Sequence, residues 1–133
     1  MRFFWIIACS FLVGCTGNKM EPRINGPISS GSVFYLSESE IPPLAASAIA
    51  GDATSAFRLY QHFAFSMIKP EVALKWLMIA SELNHPVAQH NYAFHFYTNG
   101  DFTSAQYWAR RALNNGNSAA SDLLSEIDAK KIK

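Results

Sequence analysis

The residue types able to do chemistry in this chain are four histidines, ten carboxylates and two cysteines. A transition-metal site would need three or four such groups converging on one point. His85, His90 and His95 are spaced by five. On one helix each step of five turns by about 140°, so the three imidazoles cannot share a face. No HExxH pair, no G-x-S-x-G, no glycine-rich phosphate loop and no free thiol with a base beside it occurs in the sequence. Glu71, Glu82, Asp101, Asp122, Glu126 and Asp128 sit mostly at the ends of helical patterns, where capping and the helix dipole account for carboxylates. The expectation is therefore no catalytic residue, no metal, no cofactor and no enzymatic activity.

The remaining reactive side chain is Cys15, and its setting gives it a different chemistry. Arg2 precedes an apolar run from Phe3 to Val13, broken only by Ser10. This run is too short to cross a bilayer, which takes roughly 20 residues, and has the length of a secretory h-region. It ends in Leu12-Val13-Gly14-Cys15, which resembles a bacterial lipobox. The resemblance implies that residues 1–14 are a lipoprotein signal peptide and that Cys15 is lipidated and becomes the new N-terminus. Several acyl chains, at about 0.8 kcal/mol per buried CH₂, would hold the chain to a membrane without any apolar surface from its folded part. By the same resemblance Thr16, where an inner-membrane lipoprotein carries Asp, implies the outer membrane and its periplasmic face.

Loss of the leader removes Cys9 and Arg2. With Cys15 in a thioether, neither a free thiol nor a disulfide remains, and stability must come from packing. The eleven Lys+Arg against ten Asp+Glu of the whole chain become an even balance. Nucleic acid calls for a basic patch or stripe, so no nucleic-acid partner is expected.

Residues 15–43 form the expected tether. Gly17, Gly26, Gly31, Pro22, Pro27, Pro42 and Pro43 disfavour helix, and little in the segment can be buried. Val33-Phe34-Tyr35-Leu36 is the exception. Such an apolar run fits a short strand, a segment docking on the first helices, or a peptide for a partner.

Helical periodicity sets in at Leu44 and continues through residues 44–133. A short Ala-rich helix is closed by Gly51, and Asp52 is placed to cap the next, whose stripe is Ala56, Leu59, Tyr60, Phe63 and Met67. Pro70-Glu71 opens a third helix with Ala73, Trp76, Leu77, Ala80 and Leu83 inward, ended by Asn84. Pro86 opens a fourth with Tyr92, Ala93 and Phe96 inward. After the Asn99-Gly100 turn, Asp101 caps a fifth, with Ala105, Trp108, Ala109, Ala112 and Leu113 inward. The last helix turns Ala120, Leu123, Leu124 and Ile127 inward and ends in lysines, which its dipole favours.

The pattern repeats. Ala73 and Ala105, Trp76 and Trp108, Ala80 and Ala112, and Ala88 and Ala120 are 32 apart; Leu59 and Tyr92, His62 and His95, and Phe63 and Phe96 are 33 apart. Two helices per such period is the mark of a helical solenoid. Residues 86–119 resemble one tetratricopeptide (TPR) unit, through Asn91, Tyr92, Ala93, Phe96, Gly100-Asp101-Phe102, Ala105, Ala112 and Leu113. Ala73-Leu74-Lys75-Trp76 followed by Asn84-His85-Pro86-Val87-Ala88-Gln89 is similar to the Sel1-like variant, with Asn84 where that variant has Gly. Asn117 departs from the tetratricopeptide pattern, which usually has Pro there. The resemblance implies an all-α fold, a short α/α solenoid of about two and a half units of antiparallel helix pairs following an irregular tether.

In that family the first helix of each unit lines a concave binding face. Residue by residue this implies Phe57, Arg58, Gln61 and Phe65 in one unit, and His90, Asn91, Phe94 and Tyr97 in the next, as contacts for a partner. For Phe57, Phe65 and Phe94 packing in the core is an equal alternative. The expected function is an outer-membrane-anchored periplasmic lipoprotein acting as a protein–protein interaction module for an envelope complex. Its partners would be another envelope protein or peptide, the membrane through Cys15, and a second copy through an exposed solenoid end. A pilotin-like or entry-exclusion-like lipoprotein of a secretion or conjugation system is the alternative, and a small envelope hydrolase a third.

Overall fold

A computed structural model describes residues 31–131. The apolar leader, Cys15 and much of the expected tether lie outside the described residues. Within them the chain is all-α. A 3-10 turn at Ser32–Phe34 precedes α1 (Ile41–Ile49) and α2 (Ala53–Gln61), and a π-helical turn at His62–Ser66 extends α2. Then come α3 (Pro70–Glu82), α4 (Pro86–Thr98), α5 (Phe102–Asn114) and α6 (Ala120–Lys131). Contacts run mainly between helices consecutive in the chain, and α4 with α5 form the most extensive pair.

The helix boundaries follow from local chemistry. Pro42 and Pro43 fall inside the first turn of α1, where a missing N–H costs nothing, so the helix starts earlier than the apolar period alone predicts. Asp52 accepts from Thr54 N–H at 3.0 Å and from the Ser55 hydroxyl at 2.5 Å. Asp101 repeats this cap on α5, accepting from Ser104 N–H at 3.0 Å and its hydroxyl at 2.6 Å. Asn84 stops α3 in the left-handed conformation at φ 65°, the role its short polar side chain predicts.

The alanines at the 32-residue spacing all lie inside the helix packing. Ala73, Ala80, Ala88, Ala105, Ala112 and Ala120 are all buried. Larger side chains fill the space between, in two clusters. One gathers Leu36, Ala48, Ala56, Leu59, Leu77, Ala80 and Ala88; the other gathers Ala93, Ala105, Ala109, Leu123 and Ile127. Burying Leu59 or Ile127 fully contributes about 1.5–3 kcal/mol each.

Two expected inward residues face outward. Leu113, next to the buried Ala112, is 39% exposed. Met67 is 42% exposed because the π turn winds one more residue into the helix than the α period allows and rotates everything beyond it.

The apolar segment at 33–36 is a docked strap, and no strand occurs among the described residues. Leu36 is buried between α1 and α2, and its N–H donates to His62 Nδ1 at 3.0 Å. Phe34 packs on Phe65 with ring centroids 5.2 Å apart. Val33 and Tyr35 alternate outward.

Candidate functional site

The feature best shaped to receive a ligand is a groove of about 610 Å³ between α3, α4 and the end of α2. Its floor is Ala73, Leu74 and Leu77 of α3. One wall is the α4 face formed by Asn91, Phe94, His95 and Thr98, spaced i, i+3, i+4, i+7. The other is Tyr60 of α2 with Ala64 of the π turn and Ile68 beyond it, and Pro70 and Glu71 complete the lining. A side cleft of about 380 Å³ shares Tyr60, Asn91 and Phe94 with the groove and adds Phe65 and His90. The two are arms of one surface.

Its chemistry is apolar with a few polar points. Phe65 and Phe94 stand 48% and 51% exposed on the rim, a large aromatic area left to water. Burial raises the Tyr60 phenol above its ordinary range, a shift partly offset by its hydrogen bond from Asn91. His90 borders the side cleft, and its Nδ1 is buried with no hydrogen-bond partner. Glu71 is the one carboxylate of the groove lining, which holds no Lys or Arg. Such a surface suits apolar side chains of a peptide oriented by a small number of hydrogen bonds. It holds no carboxylate pair and no nucleophile–base pair, and no group of three His, Cys, Asp or Glu that could hold a metal ion occurs among the described residues.

The structure brings four of the eight expected contact residues together here: Phe65, His90, Asn91 and Phe94. The other four lie elsewhere. Phe57 stacks on His85 at 4.3 Å and tilts against Tyr60 at 5.5 Å, which makes it packing between helices. Arg58 borders a separate depression with Glu40, Pro43, Leu44 and Ser47 on the α1 side. Gln61 is half-buried on α2 and lines neither arm. Tyr97 turns toward α5 and α6, packing on Phe102 at 5.9 Å, and burial together with the Glu126 carboxylate raises its phenol.

Tyr60, Leu74 and Leu77 belong to the site although their spacing assigns them to the core. A helix stripe does not say which of its members meets a neighbour and which borders a gap. Ile68 carries no sequence signal at all, because the π turn that places it is invisible to periodicity.

No family model matches the chain, and no solved structure matches it. It is similar to the uncharacterized protein YibG of Escherichia coli (strain K12), at 32% identity over 142 aligned residues that take in all of this chain and 90% of that protein. The chain belongs to the family of that protein.

Proposed function

We propose that the chain, as a member of the YibG family, is an outer-membrane-anchored periplasmic lipoprotein that works as a protein–protein interaction module, a scaffold or assembly factor for an envelope complex. One observation carries the interaction reading: the aromatic-rimmed groove joining α2, α3 and α4, with Phe65 and Phe94 exposed on it. In this reading α2–α3 and α4–α5 are two TPR/Sel1-like units of a short solenoid and α6 opens a third. Stacked units of this kind offer an extended binding surface. The address rests on the leader and on Cys15 behind Leu12-Val13-Gly14. An acylated N-terminus leaves the folded part free to present the groove to the periplasm.

The partner is a polypeptide that inserts one or two large apolar side chains between Phe65 and Phe94 and bonds to Asn91. Metabolic labelling with palmitate tests the anchor: label enters the wild type and is lost in Cys15→Ser, whereas a labelled Cys15→Ser chain contradicts it. Co-purification from cross-linked envelopes tests the groove. Recovery of the partner falls in Phe65→Glu and in Phe94→Glu and persists in Arg58→Glu. Equal recovery from all three contradicts it.

A further inference from the structure

The stripe Ala56, Leu59, Tyr60, Phe63 and Met67 has the spacing of an uninterrupted α-helix. The chain leaves that course after Gln61. Met67 N–H bonds to His62 C=O at 3.0 Å, and Lys69 N–H reaches Phe63 C=O at 2.8 Å. Side chains beyond the extra residue are rotated by about 100° from their α-helical positions. Met67 is thereby exposed. Ile68 arrives at φ 51°, in the left-handed region that a β-branched side chain resists. On local grounds the turn is the less favourable of two arrangements.

What favours it is the strap at 31–36, whose contacts converge on the π turn. Leu36 N–H donates to His62 Nδ1 at 3.0 Å, at the residue where the π turn begins. The Ser66 hydroxyl donates to Gly31 C=O. Phe34 packs on Phe65 at 5.2 Å, and Tyr35 meets the His62 ring edge-on at 5.8 Å. Gly31 lies so close that a Cβ there would stand 2.7 Å from Phe65 C=O.

We propose that the end of α2 has two registers and that the strap selects between them. With the strap docked, the turn is π-helical and Met67 faces out. With the strap released, the turn relaxes to α-helix, Met67 moves in along the stripe, and Ile68 leaves the left-handed region. Ala64, Phe65 and Ile68 line the two arms of the groove, so the exchange reshapes that surface from the side where the chain runs toward its N-terminus. The strap shifts a two-state equilibrium by binding one state only. Its consequence for a partner depends on the groove being the partner's site; the change of register does not.

Oxidation of methionine by dilute hydrogen peroxide, followed by mass spectrometry on the full chain, reads the register directly. Oxidation of a thioether follows its access to solvent. Met67 reports the turn, and Met78, 38% exposed on α3, reports the integrity of the fold. In Leu36→Ala the Met67 rate falls several-fold while the Met78 rate holds. An unchanged or faster Met67 rate at a constant Met78 rate overturns the proposal. If Leu36→Ala also speeds Met78, Phe34→Ala is read by the same criterion. If both variants speed Met78, the strap is an obligatory part of the fold and the two-register account is wrong.

Discussion

Gln89 Oε1 accepts a hydrogen bond from Asn115 Nδ2 at 2.8 Å, and the Gln89 side chain is fully buried. Its Nε2 donates to Ser81 C=O at 3.0 Å and to Asn84 Oδ1 at 3.3 Å. Arg111 Nη2 donates to the same Asn84 oxygen at 2.7 Å. One amide thus joins the end of α3 to the end of α5 across the start of α4. Gln89→Leu removes both roles and strands Asn115, so it should lower stability to urea by about 1–3 kcal/mol. Asn115→Ala should cost less, and the double-mutant cycle should return a coupling of about 0.5–3 kcal/mol. Additive effects would show that the pair is not an energetic unit.

His62→Leu leaves the Leu36 N–H buried without its acceptor. The expected loss is about 1–3 kcal/mol. Hydrogen exchange at the Leu36 amide should accelerate more than at Ala93 or Ala105 in the second core cluster. A uniform change across the chain would speak against a local strap contact.

Ile68→Gly should stabilise. The side chain is 79% exposed, so little burial is lost, while the left-handed backbone at φ 51° becomes comfortable. Relief of roughly 1–3 kcal/mol of strain, offset by the greater entropy of an unfolded glycine, leaves a net gain of about 1 kcal/mol. Thermal or urea unfolding measures it.

The Ser104 hydroxyl holds the Asp101 carboxyl below its ordinary 3.8, as Ser55 does for Asp52. A carboxyl depressed in the folded state adds stability that is fully present above the unfolded value and is lost as pH falls through the folded one. Ser104→Ala should move the Asp101 titration back toward 3.8 by NMR. The stability difference from wild type should be constant near neutrality and shrink as pH drops below that value. A difference independent of pH would mean that the cap acts only through geometry.

Much of the fold was legible because its signals are local. Asp52 and Asp101 before serines, Asn84 at a helix stop, and alanines 32 apart each say what the backbone or the packing requires of that position. The π turn was not legible, since it answers to Leu36 and Phe34, some 26 to 31 positions away, rather than to its own neighbours. The site was half legible for the same reason. Asn91 and Phe94 follow from the period of α4, whereas Ile68 depends on how far the π turn rotates the end of α2 and Tyr60 on which member of its stripe borders a gap. Arg58 and Tyr97 share the expected helices but point to other neighbours, which no spacing along one helix can reveal.

Site-specific photo-crosslinking in living cells tests most directly whether the groove is where a partner sits. A photoreactive residue replaces Phe94 or Ile68 on the groove, or Arg110 on the exposed side of α5. The groove account predicts one polypeptide joined through both Phe94 and Ile68 and absent from Arg110. No adduct at either groove position, or the same adducts at Arg110, would contradict it.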